Sequence, residues 1–469
     1  MKLASAEGRW VVAGAVLGSG AVFLEGSVVN VAVPALARDL HLEIAGLQWV
    51  LNAYLLTLSA LMLLGGALGD RMRRSRVFAL GSLGFAAASF ACALAPNVAT
   101  LVACRLLQGV AGALLVPNSL AMLESAFEGE ERGAAIGQWA AWSAVSTAIG
   151  PLAGGVIVDT LSWRWVFAAV VPFGVAAAAI AWRFVKDEAT DSHRGIDITG
   201  AMLVTLALAG MIGGLSAGPD HGFASPMVVT ALIAGTVALA LFLVVEHRGR
   251  EPLLPLDVFR SAQFTGANLV TLLVYAALSS LMFFLTLELQ NVQHYSALQA
   301  GASFLPVNVL MLVISPRAGR LAERIGARLP MAIGAAVAAA GMILFTRVHP
   351  GSSYLAAVLP AAVVFGVGLS VFVAPLTAAV LGAVPARRVG VASAVNNAVS
   401  RVAGLMALAI LPFAAGLSGA RALAPDTLAR GFVRGMWISA GLCLAGAVVA
   451  FVTISGEARA QKTKQETRA

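Results

Sequence analysis

The chain has 469 residues, 59% of them hydrophobic and 12% charged, with a mean hydropathy of +0.88. Soluble domains carry about twice that share of charge, so the composition excludes a soluble enzyme or binding module and points to a polytopic membrane protein. A net charge of +8 would suggest a nucleic-acid partner in a soluble protein, provided membrane topology did not already account for the Lys and Arg.

Apolar runs long enough to cross a bilayer as helices fall at about 10–36, 47–69, 77–96, 99–122, 133–158, 164–185, 198–217, 226–246, 264–289, 297–317, 329–347, 353–382, 389–415 and 431–454, fourteen in all. Nothing at the start pairs a short apolar core with a small-residue cleavage site, so the first run is expected to stay as a helix. Between Trp10 and Ala37 its one ionisable side chain is Glu25, near mid-span. An ionised carboxylate there costs on the order of 3 kcal/mol on insertion scales, so it must face a cavity, find a partner or carry a proton. Burial disfavours the charged form and a nearby cation favours it. Alternate access to water or substrate would therefore switch its protonation, as proton-coupled exchange requires.

The second run ends in a basic loop, GALGDRMRRSR (66–76), where Arg71, Arg73, Arg74 and Arg76 follow Gly66 and Asp70. Clustered Arg at a span end is first a topology signal. Asp70 adds a carboxylate able to cap the N-terminus of another helix, where orphan N–H groups and the dipole attract it. Such a bond would latch one conformation, with Glu124 or Glu128 competing for the arginines.

In the fourth run, counting 1.5 Å per residue puts Arg105 roughly 9 Å and Glu25 roughly 15 Å below the outer ends of their helices. Those depths allow a contact or a bridging water. The alternative is that Arg105 bonds backbone carbonyls between packed helices. In the fifth run, AIGPLAGG (148–155) sets Gly150 and Gly154 on one face, which permits close helix approach, and Pro151 removes a backbone donor and kinks the span. Gly155 completes the stretch.

The runs at 198–217 and 226–246 lie between connectors at 183–197 and 246–260 that carry no recognisable chemistry. Polar or aromatic side chains on the spans are the substrate-cavity candidates: Asn30, Gln48, Asn52, Tyr54, Asn118, Gln138, Trp142, Phe283, Asn308, Asn396 and Asn397. Against this stands interhelical hydrogen bonding worth about 0.6 kcal/mol each, or packing for the aromatics. Arg401, midway down its helix, has no deep acidic partner in the sequence, so it is either an anchor or a contact for an anionic group on the substrate. Cys92, Cys104 and Cys443 lie inside spans and the six His at or beyond span ends. Neither set has disulfide or metal-ligand spacing, and no metal is expected.

With the N-terminus inside, six basic residues (Arg38, Arg164, Arg347, Arg421, Arg430, Arg434) fall at outer ends and two (Arg105, Arg401) within spans; the remaining 23 of the 31 Lys and Arg are cytoplasmic. Both termini are thus expected in the cytoplasm, and the nucleic-acid reading loses its support. GALGDRMRRSR is echoed by GRLAERIGAR (319–328), LQWV (47–50) by LQAG (298–301), and ERGAAIGQ (131–138) by RRVGVASA (387–394), at nearly one spacing. The expected architecture is therefore an all-α membrane protein of two pseudo-symmetric six-helix bundles, 1–190 and 261–456, with two inserted helices and connectors at 191–260 and a cytoplasmic tail at 457–469. Parallel halves suit alternating access around a midplane site.

These segments resemble the major facilitator superfamily over nearly the whole chain, and within it the fourteen-helix drug:proton antiporters (the EmrB/QacA-like group). GALGDRMRRSR is similar to the loop signature G-x-L-A-D-R-x-G-R-R, with Arg73 where the second Gly is expected. RLLQGVAGALLVP (105–117) is similar to the fourth-helix signature R-x-x-Q-G, with Arg105, Gln108 and Gly109 in place. AIGPLAGG matches the core of the antiporter signature, and the stretch from Leu24 resembles L-D-x-T-x-V-N-V-A-L-P, with Glu25 for Asp and Ser27 for Thr. The resemblance implies that Glu25 and Arg105 couple protons and that Gly66, Asp70, Arg71 and Arg74 form a cytoplasmic latch, with the helix near Val389 as Asp70's partner. It also implies an antiporter bend at Gly150, Pro151, Gly154 and Gly155, while the internal repeat places Glu323, Arg324 and Arg328 where a pseudo-symmetric copy of the latch would lie.

No phosphate-binding G-x-x-x-x-G-K-[ST] loop, metal cluster or nucleophile triad occurs, so an enzyme is not expected. The leading expectation is a proton-driven exporter of hydrophobic or amphiphilic compounds that works without a cofactor, as a monomer in the bacterial plasma membrane. Its partners would be small-molecule substrate, protons and lipid. The alternatives are a proton-coupled importer or facilitator of a small metabolite and, from another class, a non-transporting membrane scaffold or sensor.

Overall fold

A computed structural model of the chain describes residues 2–185, 197–249, 254, 256–385, 389–419 and 421–456. Among them there is no strand, and fourteen helices are long and apolar enough to cross a membrane. In hydrocarbon only intrahelical hydrogen bonds satisfy every backbone group of a single span, which is why long apolar runs fold this way. The expected fold class is thereby met. The tail at 457–469 and most of the connector at 186–196 lie outside the described residues.

The helices are α1 (Ala6–Asp39), α2 (Ile44–Arg71), α3 (Arg74–Ala93), α4 (Val98–Ala126), α5 (Gly129–Thr160), α6 (Trp163–Ala168), α7 (Val171–Phe184), α8 (Ile198–His221) and α9 (Pro226–Arg248). There follow α10 (Ala262–Leu287), α11 (Ala297–Ala302), α12 (Leu305–Ile325), α13 (Arg328–Phe345), α14 (Leu359–Gly382), α15 (Val389–Ala414) and α16 (Pro425–Thr453). Helices α6 and α7 together make one span, as do α11 and α12. Helix starts follow local chemistry. Asn97 accepts from the Thr100 N–H at 2.9 Å, Asp197 accepts from Gly200 N–H at 2.7 Å, and Ser225 caps α9 with Pro226 at its first position. After α12, Gly326 turns the chain with a φ of 82°, which a residue with a Cβ rarely adopts.

The chain forms two compact units. The first holds residues 1–253 and the stretch Ser296–Gly301; the second holds Leu254–Tyr295 and everything from Ala302 onward. In the first, α2 packs on α4, α3 on α4, α1 on α5, and α7 on both α1 and α3. In the second, α12 packs on α14, α13 on α14, α10 on α15, and α16 on both α10 and α13. The two lists are one adjacency scheme written twice, which is what the sequence echoes require of a repeat. The inserted helices α8 and α9 group with the first unit, α8 lying against α2.

Close approach comes from small residues, because lipid tails give helices no hydrophobic reason to associate. On α8 and α9, Gly210 and Gly235 face each other so tightly that a Cβ on either would come within 2.8 Å of the opposing backbone. Large apolar side chains face outward instead: Met227, Ile233, Val237 and Leu241 on α9 are at least half exposed, as a lipid-facing surface demands and a soluble one would not tolerate. At the end of α1, Asp39 accepts hydrogen bonds from Trp163 Nε1 and Arg164, each at 2.8 Å, and Arg164 also reaches the Ala95 carbonyl at 3.1 Å. This ties α1, α6 and the turn after α3 together at one end of the first unit.

Candidate functional site

The interior of the first unit is apolar around Phe78, Phe85 and Tyr54, and one charged pair sits inside it. Glu25 on α1 is 0% exposed and Arg105 on α4 is 1% exposed. The Arg105 guanidinium donates to Glu25 Oε1, so the two depths counted from helix ends do meet. Two further donors of Arg105 are engaged: Nε bonds the Val50 carbonyl on α2 at 3.0 Å, and Gln108 Oε1 accepts at 2.7 Å from the same terminal nitrogen that serves Glu25. Gln108 in turn donates to Ser89 Oγ on α3 at 2.7 Å. The guanidinium lies over the Tyr54 ring at 4.4 Å from its centroid, and Tyr54 donates to the Val22 carbonyl on α1 at 3.3 Å. Four helices thus meet at one buried cation, as a charge in hydrocarbon requires.

Arg105 thus holds the Glu25 carboxylate and a backbone carbonyl at once. Gln108 is part of the site as well; its place three residues after Arg105, on the same helix face, was the available signal.

Helix α5 fixes α1 at this level. A Cβ on Gly150 would strike Ser27 Oγ, and one on Gly154 would sit 3.0 Å from Val28 Cγ1, so the face formed by these two glycines packs on the turn that carries Glu25. Gly155 points elsewhere, toward Leu298. One turn on, Asp159 accepts from the Ala297 and Leu298 N–H groups at 2.9 and 2.8 Å. Pro151 lies inside the continuous helix α5, against Gly301. A second polar chain links α1, α4 and α5 through Ser19: its hydroxyl bonds Ser119 at 2.6 Å and accepts from Trp139 Nε1 at 3.0 Å.

The substrate-cavity candidates separate into several groups. Asn118 spends its amide nitrogen on the Gly65 and Leu114 carbonyls at 2.8 and 2.7 Å, bracing α4 on α2. Phe283 is 2% exposed and lies edge-on to Phe284, which is packing rather than an open wall. Asn396 joins α15 to α10 through Asn268 and Thr271 at 3.2 and 2.7 Å. Asn30 and Asn397 bond the carbonyl one turn back on their own helices. Gln48 is 2% exposed, and Asn52 is buried with both amide atoms lacking a hydrogen-bond partner among the described residues. Gln138 and Trp142 are exposed, whereas Asn308 and Arg401 are half-buried.

Of the latch residues, Arg71, Glu124, Glu323 and Arg324 are exposed, and Arg74 bonds the Ala121 carbonyl at 3.1 Å. Gly66 faces Pro117 at ordinary distance. The side chain of Asp70 and those of Val389 and Gly390 lie outside the described residues, so the Asp70 latch does too. No group of three or more His, Cys, Asp or Glu that could hold a metal occurs among the described residues. Two acids that the sequence places near span ends, where an acid ordinarily reaches water, are buried in the structure: Glu246 and Glu288.

Residues 15–408 match the family described as Major Facilitator Superfamily. The chain is 34% identical to the puromycin resistance protein pur8 of Streptomyces alboniger over 94% of its own length and 90% of that protein. It is 36% identical to the cephamycin export protein CmcT of Amycolatopsis lactamdurans, over 83% and 81% of the two chains. It is 32% identical to the tetracenomycin C resistance and export protein of Streptomyces glaucescens, over 83% and 72%. In fold it is similar to a bacterial homolog of the human lysosomal transporter Spinster, at a TM-score of 0.70, 15% identity, and 96% and 97% coverage of the two chains.

Proposed function

The chain belongs to the Major Facilitator Superfamily, and from that premise we propose that it exports hydrophobic or amphiphilic antibiotics across a bacterial plasma membrane in exchange for protons. The observation that carries the coupling is the ion pair of Glu25 with Arg105, buried in the first unit. Burial favours the neutral acid and the guanidinium favours the carboxylate. A proton arriving at Glu25 therefore dissolves the pair and leaves Arg105 to its Val50 and Gln108 bonds, while loss of the proton restores it. Each protonation state so favours a different packing of α1 against α4, and alternating access would turn that difference into vectorial exchange.

Export is supported by the relatives, which are named for antibiotic resistance or export, and by the glycine face of α5 packed on α1 beside Glu25. We infer further that both termini are cytoplasmic, as the Lys and Arg distribution implies, and that the chain works as a monomer with no cofactor, driven by the proton gradient. The test is uptake of puromycin and of a panel of other toxic amphiphiles into everted vesicles energised by ΔpH. Wild type should accumulate at least one compound and Glu25→Gln should lose the ΔpH dependence. Full ΔpH-driven uptake by Glu25→Gln would remove the coupling mechanism, and uptake only down a cargo gradient would favour a facilitator.

A further inference from the structure

Glu288 ends α10 at a change of helix. Its carbonyl accepts from the Gln293 N–H at 3.0 Å, five residues on, so Glu288–Val292 is a single wide turn; such turns inside membrane helices recur at functional positions. The side chain is 1% exposed. Its Oε1 accepts from Gln293 Nε2 at 3.2 Å, and its Oε2 has no hydrogen-bond partner among the described residues.

No cation answers this carboxylate among the described residues. The turn packs against α10 and α16. The bond between Ser280 and Ser439 at 3.1 Å, and the contact of Phe284 with Gly435 one turn on, set an antiparallel register that brings Glu288 level with Gly431. Near that level α16 carries Asp426, Arg430 and Arg434, all exposed, and the buried Leu428 and Phe432. On α10 the titratable group is Tyr275, thirteen residues earlier and about 20 Å away along the helix. On the turn's own continuation lie His294, exposed, and Tyr295. Neither Arg430 nor Arg434 forms an ion pair with Glu288.

An ionised carboxylate with one oxygen bare and no cation beside it is the arrangement that burial penalises most. Addition of a proton to Oε2 removes the charge while leaving the Gln293 bond on Oε1 intact. We propose that Glu288 is a second exchangeable proton-binding site, carried by the second unit four residues before the end of its span and separate from the Glu25 pair. Its use in antiport rests on the exporter reading, but its existence as a proton site does not. Gln293 acts as the positioning residue, holding one carboxyl oxygen so that the other is the one protonated.

The test is infrared difference spectroscopy of the full-length purified protein during a pH titration in H2O and in D2O, following the C=O stretch of protonated carboxyl groups. A band present in wild type and in Glu25→Gln, absent in Glu288→Gln, that shifts in D2O and disappears as pH rises, is the expected result. Gln293→Leu should move the pH midpoint of that band and leave the Glu25 band where it was. The proposal is overturned if Glu288→Gln and wild type give superimposable titrations, or if the Glu288 band neither shifts in D2O nor changes with pH. If the Glu288 band behaves as expected while Glu25→Gln keeps full ΔpH-driven uptake in vesicles, the coupling assigned to Glu25 fails and the second proton site stands.

Discussion

Arg105 donates to Glu25 across 80 residues of sequence, and both side chains are withdrawn from solvent inside the first unit. Nothing local holds them together: the pair lies where α1 packs on α4, with Gly109 of α4 set against α2 and Gly150 and Gly154 of α5 set against α1.

Removing one partner of a buried ion pair leaves an uncompensated charge and costs about 3–5 kcal/mol. Arg105→Gln should therefore lower thermal stability more than Glu25→Gln, because it strands a carboxylate and gives up the Val50 carbonyl bond and the Tyr54 ring contact as well. The double variant should recover part of the loss without recovering ΔpH-driven uptake. Melting of the purified variants in one detergent checks the order, and recovery of uptake in the double variant would count against proton coupling through this pair.

Gln108 links the Arg105 guanidinium to Ser89. Gln108→Leu keeps the volume but leaves a buried guanidinium N–H without its partner, at a cost of about 1–3 kcal/mol, while the Ser89 hydroxyl keeps its bond to the Phe85 carbonyl at 2.7 Å. Ser89→Ala removes only the outer member of the chain and should cost less. Equal melting temperatures for the two variants would show that Gln108 does not hold the arginine.

Gly150 is where α5 touches Ser27 on α1. Gly150→Ala should destabilise by about 1–3 kcal/mol through overpacking, and Ser27→Gly in the same chain should return part of that, since the hydroxyl is the first atom the new methyl meets. Gly137, with nothing within 4 Å of its would-be Cβ on the same helix, is the control: Gly137→Ala should be neutral or slightly stabilising. Thermal shifts of the three variants against wild type decide it.

Asp159 holds the Ala297 and Leu298 N–H groups with its two oxygens. Asparagine has one acceptor oxygen where aspartate has two, so Asp159→Asn should lose one of the two bonds, at about 1 kcal/mol. The local readout is faster amide hydrogen exchange at residues 297–298, with exchange in α13 unchanged. No change at 297–298 would mean that the cap does not close that turn.

Much of this was legible before any coordinates. The spans could be drawn because hydrocarbon permits few solutions for a backbone, and the repeat could be found because its loop copies, GALGDRMRRSR and GRLAERIGAR, kept their charges. Glu25 and Arg105 stood out since each is an isolated charge in an apolar run. Asn118 and Phe283 looked the same in sequence as residues facing a cavity, and only their partners, the Gly65 carbonyl and the Phe284 ring, show them to be packing. Glu288 does not count as a deep acid in the sequence for the opposite reason: close to a span end, an acid reads as solvated, and nothing in the order of residues says that α16 packs on its turn.

The amino-acid order by itself determined the number of membrane spans, the twofold repeat and the presence of a charge inside the first helix, because these depend on period, length and composition, which are local quantities. Tertiary structure alone decided that Glu25 is answered by Arg105, that Gly150 and Gly154 lie on α1 while Gly155 lies on residues 297–298, and that Glu288 is left with one bare oxygen. Hydrogen-bond satisfaction is settled by which helices touch and in what register, and small-residue contacts between distant segments set that register.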